Sequence, residues 1–479
     1  MGTQLRILSQ KEINQIYGLP KLTVKQRTVF LELTLPEQEL VRTYRTPLTR
    51  VFFILQLAYF KFKQQFFTFD LSEVSADVAY LQAHYFLNQS LPLEGMLTKP
   101  RRLQQQKVIL NLLGYKIADA TIRATLFERA CQSVKLSANL TFLFRDLMNW
   151  LEHKKVVLPA YSFLQRHIIS KAITSERKRL EGLIQVILSN DYQLHLDKLI
   201  NEKTGNWYTL TWLSRETPNF KPQSLRQETK RKAFMEPLYP TAKLLVANLD
   251  ISNENIHYYA SLAEHYTVGE LRQFRNGMAY VFLLCYLYYR YRRINDILVE
   301  AFKYYVRKYE SQVKSIVKEY FYKYHLDANA QLSKIPQILA LFINDEIDGN
   351  TPFSVVRKMV LDRLDKEKIL LLTDFINKNR VDEMAVRWKH YEEIKQQVSY
   401  NLRHLFLNLD FESELVDSSV MQAVTAVKAI LQKGKSLKSV PSEELPKAFI
   451  PTYLQSYLWQ NDEFVAARYE LMLYQALYR

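Results

Sequence analysis

Glycine and proline are scarce, with 10 and 15 copies in 479 residues. Chains rich in strands need many tight turns, and tight turns need those residues, so the shortage weighs against a β fold. The glycines stand at positions 2, 18, 95, 114, 182, 205, 269, 277, 349 and 434. No two have the spacing of a phosphate-cradling loop, a dinucleotide fingerprint or a nucleophile elbow, which excludes those chemistries in their standard form. There are two cysteines, Cys131 and Cys285, far apart and each in an apolar helical setting. They offer no disulfide framework and no Cys-based zinc site, and both read as reduced core residues. The nine histidines contain no HExxH and no paired metal-ligand spacing. His257 and His265 read as ordinary side chains. Long apolar runs are missing as well. The longest, Met278–Tyr289, is too short to span a bilayer. The opening MGTQLRILSQKEINQ lacks the apolar stretch of a signal peptide. These absences predict a cytoplasmic protein with no membrane contact. The acidic pairs Asp345-Glu346 and Glu392-Glu393 read as solvated surface, so no metal, no cofactor and no active site is expected.

Hydrophobic residues make up 48% of the chain and aromatics 13%, enough for several packed cores and too much for a disordered chain. Long Leu/Ile/Lys/Glu/Gln stretches predict an all-α fold of several packed helical modules. The formal net charge is +16, and it is uneven. Residues 331–479 carry 19 Lys+Arg against 20 Asp+Glu, whereas residues 1–330 carry 46 against 29. A field of that sign attracts polyanions, of which nucleic acid is the commonest. Charge alone fits a soluble helical protein with a basic surface equally well.

Ser9-Gln10-Lys11-Glu12 is a capping-box pattern ahead of Ile13, Ile16 and Tyr17, and Gly18 and Pro20 end that short helix. Val51–Phe62 reads as a buried helix, with Leu81 and Tyr85 on the apolar stripe of another. Pro100 suits the first turn of a helix over Arg101–Leu113. Gly114-Tyr115 follows as a turn, with Gly114 free to take the left-handed position. A second helix runs from about Ala118 to Ser133. Helix, glycine turn, helix is the outline of a helix-turn-helix, though any structural hairpin shares it. Tyr161–Leu188 reads as a long helix, Arg215–Ser224 as a loop leading into a basic helix, and Val268–Tyr324 as one or two very long helices. The tyrosines at 286, 288, 289, 291, 304 and 305 could give hydroxyls to phosphates, but successive aromatics face every side of a helix, so some must be core, and most are read as core. Asn344–Pro352 and Gly434–Pro446 read as linkers. The domains expected are 1–95 and 96–245, two helical DNA-binding modules; 246–343, a long-helix module; 344–433, a helical linker region; and 434–479, the start of a further domain.

Several segments together resemble the front half of Tn3-family transposases, the enzymes of class II replicative transposons. Ile7-Leu8-Ser9…Glu12…Tyr17-Gly18-Leu19-Pro20 is similar to the family's start. Arg50-Val51-Phe52-Phe53-Ile54-Leu55-Gln56-Leu57-Ala58-Tyr59 is similar to its R-x-G-F-A-x-Q-L-C-Y-L-R helix, with Phe52 in place of the small residue. Gln105–Tyr115 resembles an H-x-x-I-x-x-x-L-G-Y element, with Gln105 or Gln106 where His is common. Phe411–Leu431, Leu445-Pro446…Phe449-Ile450-Pro451 and Arg468-Tyr469-Glu470-Leu471 resemble the segments around the start of the catalytic half. The resemblance implies binding to the transposon's terminal inverted repeats through tandem helical modules. It also implies that catalysis belongs to an RNase H-like DDE domain farther along, before which this chain is truncated, so no enzyme is expected here.

On that footing the DNA contacts are expected from four clusters. They are Arg45, Arg50, Lys61 and Lys63; Lys99, Arg101, Arg102 and Lys107; Arg177, Lys178 and Arg179 with Arg226, Lys230, Arg231 and Lys232; and Arg290, Arg292 and Arg293. The partner expected is double-stranded DNA at inverted-repeat ends, with an intact transposase or a downstream catalytic polypeptide as a second partner and a bacterial nucleoid-associated location. The competing readings are a helical scaffold that binds proteins, and one half of a split transposase.

Overall fold

The computed structural model describes residues 7–87, 91, 94–217, 219–274, 277–333, 335–378, 383–414 and 418–479. Residues 1–6 of the opening segment and 415–417 of the Phe411–Leu431 segment lie outside them. The protein is all-α, with 74% of it helical. The only paired strands among the described residues are two hairpins of two residues a side, Lys203–Thr204 with Trp207–Tyr208 and Trp459–Gln460 with Glu463–Phe464. Among those residues no helix is long and apolar enough to cross a membrane.

The chain forms two compact units, Met1–Arg215 with Pro237–Arg290, and Glu216–Glu236 with Tyr291–Arg479. This division differs from boundaries placed near 95, 245, 343 and 433. Sequence boundaries follow composition, whereas each unit here is assembled from two stretches of chain.

The first unit opens with α1 (Gln10–Tyr17), α2 (Val24–Phe30), α3 (Leu35–Arg42), α4 (Pro47–Lys63), α5 (Ser75–Tyr85) and α6 (Lys99–Leu113). The capping box at Ser9 and Glu12 is present. In α4 every residue from Val51 to Phe60 is buried, so the helix is enclosed on all sides, and α2, α3, α5 and α6 pack around it. Inside this core Asp77 accepts from Arg27 Nε at 2.6 Å and from the Tyr59 hydroxyl at 2.6 Å. Burial and the neighbouring Asp77 hold the Tyr59 phenol protonated.

A second core in the same unit gathers α7 (Ala120–Leu136), α8 (Leu140–His153), α9 (Tyr161–Phe163), a π-helical turn (Leu164–Ile169) and α10 (Ser170–Ile187). Tyr17 at the end of α1 packs edge-on against Tyr161. The Gly114 turn is left-handed as expected, with φ +71°. The helices on either side of it are not a packed pair, however. Ile109 and Leu110 of α6 belong to the α4 core, whereas Leu126, Ala130 and Val134 of α7 belong to the second core. The packed neighbour of α7 is instead α8, joined to it across Ser137–Asn139. Arg129 on α7 grips Asp146 on α8 through both nitrogens, at 3.0 and 2.7 Å. Asn255 pins the turn by donating to Val134 O at 2.7 Å and accepting from Ala138 N at 2.6 Å. The rest of the unit is α11 (Asn190–Asn201), α12 (Thr209–Ser214), α14 (Tyr239–Asn248), α15 (Asn253–His265), α16 (Val268–Leu271) and the start of α17 (Met278–Leu332).

The second unit contains α13 (Pro222–Met235), the remainder of α17, α18 (Ile335–Phe342), α19 (Phe353–Arg363), α20 (Lys366–Lys378), α21 (Glu383–Asn408), α22 (Ser419–Gln432), α23 (Thr452–Gln455) and α24 (Ala466–Tyr478). Arg403 on α21 grips Glu470 on α24 at 2.9 and 2.6 Å, and Tyr474 donates to the same carboxylate at 2.6 Å. Phe302, Phe406, Phe411 and Tyr474 pack around that bridge. Helix α24 is thus packed into the core of this unit. Of the tyrosines on α17, Tyr286, Tyr291 and Tyr305 are buried and Tyr304 is exposed.

Candidate nucleic-acid interface

A cation can meet a phosphate only if no internal partner holds it, so the eighteen expected contacts separate by what each side chain touches. In the first cluster Arg45 is exposed. Arg50 bends back to donate to Tyr44 O at 2.7 Å. Lys61 pairs with the buried Glu37 at 2.7 Å. Lys63 donates to the carbonyls of Gln15 and Gly18 at 2.8 and 2.6 Å, and burial lowers the pKa of its amine. Three of these four therefore fasten α4 to neighbouring segments.

The second cluster lies on α6, whose first turn is set by Pro100. Gln105 is buried on the inner side, donating to Thr49 O at 2.7 Å and accepting from Gln56 at 2.7 Å. The amide thus makes two interior hydrogen bonds at the place where the resembled family often has His. The outer side carries Arg101, Gln104, Lys107 and Asn111, all exposed and spaced as one ridge of a helix. Lys99 is exposed and Arg102 is half-buried.

On α10, Arg177 and Lys178 are exposed. Arg179 is not available, since it grips the buried Glu176 at 2.7 and 2.6 Å and donates to Leu249 O at 2.9 Å. Its guanidinium is held charged chiefly by the Glu176 hydrogen bonds. The residues expected to act with this group, on α13, belong to the second unit. There Arg226 is exposed and stacks over Tyr400 at 4.8 Å, and Lys230 is exposed. Arg231 and Lys232 point inward at 5% and 4% exposure. Arg231 pairs with Glu228 at 2.9 Å, and Lys232 donates to Asn408 O at 2.6 Å and to Asp410 at 3.1 Å.

The last cluster straddles the boundary between units. Arg290 is 1% exposed and donates to Leu213 O at 3.0 Å and Arg215 O at 3.2 Å, closing the end of α12. Arg292 and Arg293 are exposed, with Arg293 3.9 Å from Glu216. The structure thus leaves Arg45, Lys99, Arg101, Lys107, Arg177, Lys178, Arg226, Lys230, Arg292 and Arg293 on the surface, and turns Lys61, Lys63, Arg179, Arg231, Lys232 and Arg290 to interior bonds.

Two cations and an imidazole were missed by reading charge runs alone. Arg166, His167 and Lys171 are exposed on the same helical segment as Lys178. The signal was present in the spacing, because 167, 171, 174/175 and 178 recur on one helix face. Among the described residues no group of three or more His, Cys, Asp or Glu is placed to hold a metal ion.

Residues 7–171 match a family model described as a domain of unknown function, DUF4158. The matched span takes in the α4 core and the second core up to the start of α10. No curated protein matches the chain.

Proposed function

We propose that this chain binds duplex DNA at the terminal inverted repeats of a transposon, as the DNA-binding portion of a Tn3-family transposase. The observation that carries the reading is the DUF4158 match over residues 7–171, a domain typically found at the amino terminus of those transposases. Motifs beyond the matched span, ending with Arg468-Tyr469-Glu470-Leu471, keep the order expected of such a chain. Surface chemistry supports it too. The exposed cations of α6 and α10 stand in a region that holds the whole positive excess of the sequence. Such cations displace condensed counterions from DNA, and helices carrying Arg, Gln, Asn, Ser and Thr supply donors to phosphates and base edges. In this reading the residues described bind the repeats, and strand cutting is not assigned to them. The location that follows is on DNA, in the bacterial nucleoid.

An electrophoretic shift tests it, using the terminal repeat that flanks the coding element against a scrambled duplex of equal length. The repeat should bind at least about 10³-fold more tightly. Equal affinity for the scrambled duplex would contradict repeat recognition. Purified chain with Mg²⁺ is expected to leave supercoiled plasmid intact, and reproducible metal-dependent nicking would overturn the non-enzymatic assignment.

A further inference from the structure

Helix α10 and the π-helical turn before it differ from the other basic helices in how their outer side is built. The inner side follows a strict stripe of buried residues, Leu164/Gln165, Ile168/Ile169, Ala172, Glu176, Leu180 and Ile184. The π turn, with one extra residue per turn, supplies the doubled positions at the start of that stripe. It also puts Arg166 and His167 outward together. From there to Lys178 the exposed positions are Lys171, Thr174, Ser175 and Arg177, with Ser170 half-exposed. At about 100° per residue these cover nearly half the helix circumference. The one carboxylate in this stretch, Glu176, is buried and held by Arg179. Ser170, Lys171, Thr174, Ser175 and Lys178 line a shallow groove of about 320 Å³.

We infer that this face of α10 is the element that reads base edges in the major groove, an assignment that rests on the DNA-binding reading above. Three features carry it. A helix about 10–12 Å across fits a groove about 12 Å wide. Short hydroxyl side chains at Ser170, Thr174 and Ser175 let the backbone approach the groove floor, where Ser and Thr bond to base edges and the Thr methyl meets thymine. Lys171 and Lys178 lie between Thr174 and Ser175 around the helix, and with Arg177 they are long enough to reach phosphates and fix register. Helix α6 has its exposed cations and amides only along a single ridge and carries no hydroxyl side chain. A membrane surface is disfavoured, because the face has no large apolar side chain between Arg166 and Lys178 that could enter lipid.

The test is a binding selection on the full chain with a duplex library carrying about 20 randomised base pairs, a span of two helical turns. Wild-type protein should enrich one motif. The variant Lys171→Ala/Thr174→Ala/Ser175→Ala/Lys178→Ala should lose that motif, with affinity for it reduced about 100-fold and affinity for the unselected library reduced only about tenfold. Alanine favours helix and the four positions are outside the core, so circular dichroism should be unchanged. If the quadruple variant does not fold, Thr174→Ala/Ser175→Ala is used, and it should relax the motif at one or two adjacent base pairs. The same motif from wild type and variant, at affinities within about threefold, would overturn the assignment of α10 while leaving DNA binding intact. Wild type that binds the library but enriches nothing would do the same. Wild type that retains no duplex at low salt would overturn the DNA-binding reading itself.

Discussion

Arg290 and Arg101 bear the same guanidinium, yet one closes a helix end in the interior and the other stands in solvent. Substituting Arg290 by Ala should remove the donors that hold Leu213 O and Arg215 O and leave a cavity behind. Chemical denaturation should show a loss of about 3 kcal/mol. Replacing Arg101 and Lys107 by Ala should change stability by less than about 0.5 kcal/mol each, since both side chains are exposed. It should weaken DNA binding and flatten the salt dependence by about one unit of slope per phosphate contact removed. Unchanged affinity would take α6 out of the interface. His404 provides a pH readout in the second unit. Its ring is 3.1 Å from the Thr229 hydroxyl, and burial followed by the charge of Arg226 lowers its pKa. A folded pKa below the unfolded value means that the unfolded chain takes up the proton first. Stability should therefore be full above about pH 6.5, the unperturbed histidine value, and fall as pH drops from there toward the lowered folded pKa. The fall between pH 7.5 and 5.5 should be smaller in His404→Gln. Sequence composition showed the sign of the surface but not which cations it can use. Lys232 is tied to Asn408 and Asp410, far along the chain, whereas Glu228 before Arg231 and Glu176 before Arg179, each three residues away, hinted at local neutralisation.

Local chemistry made most helix ends readable. Ser9 with Glu12, Pro100 and Gly114 act as their residue types predict, because capping and left-handed turns are decided within a few residues. Asp119 → Ala should remove the bond from Ile122 N, 2.7 Å long, and lower stability by about 1 kcal/mol. Gly114 → Ala should lose a similar amount, about 1 kcal/mol, because its φ of +71° strains any side chain. Thermal melts of the two variants would check both, and a Gly114→Ala variant as stable as wild type would contradict the turn described here. Packing partners were not readable. Helices α6 and α7 are adjacent in sequence and look like a hairpin, but their apolar residues enter different cores, a choice made by contacts with α4 on one side and with α8 and α10 on the other. The π turn escaped for a related reason. A 3.6-residue pattern interrupted once still reads as one long helix, and the doubled inner positions 164/165 and 168/169 are recognisable only when their burial is known.

At the scale of the molecule, the fold class followed from few glycines, few prolines and long apolar periodicity, and the helices bear it out. The two units could not be found that way, since residues 216–236 group with the segment after 290 rather than with their sequence neighbours. The central proposal is electrostatic: the exposed cations on α6 and α10 of the first unit meet a polyanion. Its most direct measurement is the affinity for duplex DNA, by fluorescence anisotropy, across a series of salt concentrations. With about six phosphates contacted, log K against log salt should fall with a slope of about −5. A slope near zero, or no binding at low salt, would contradict the account.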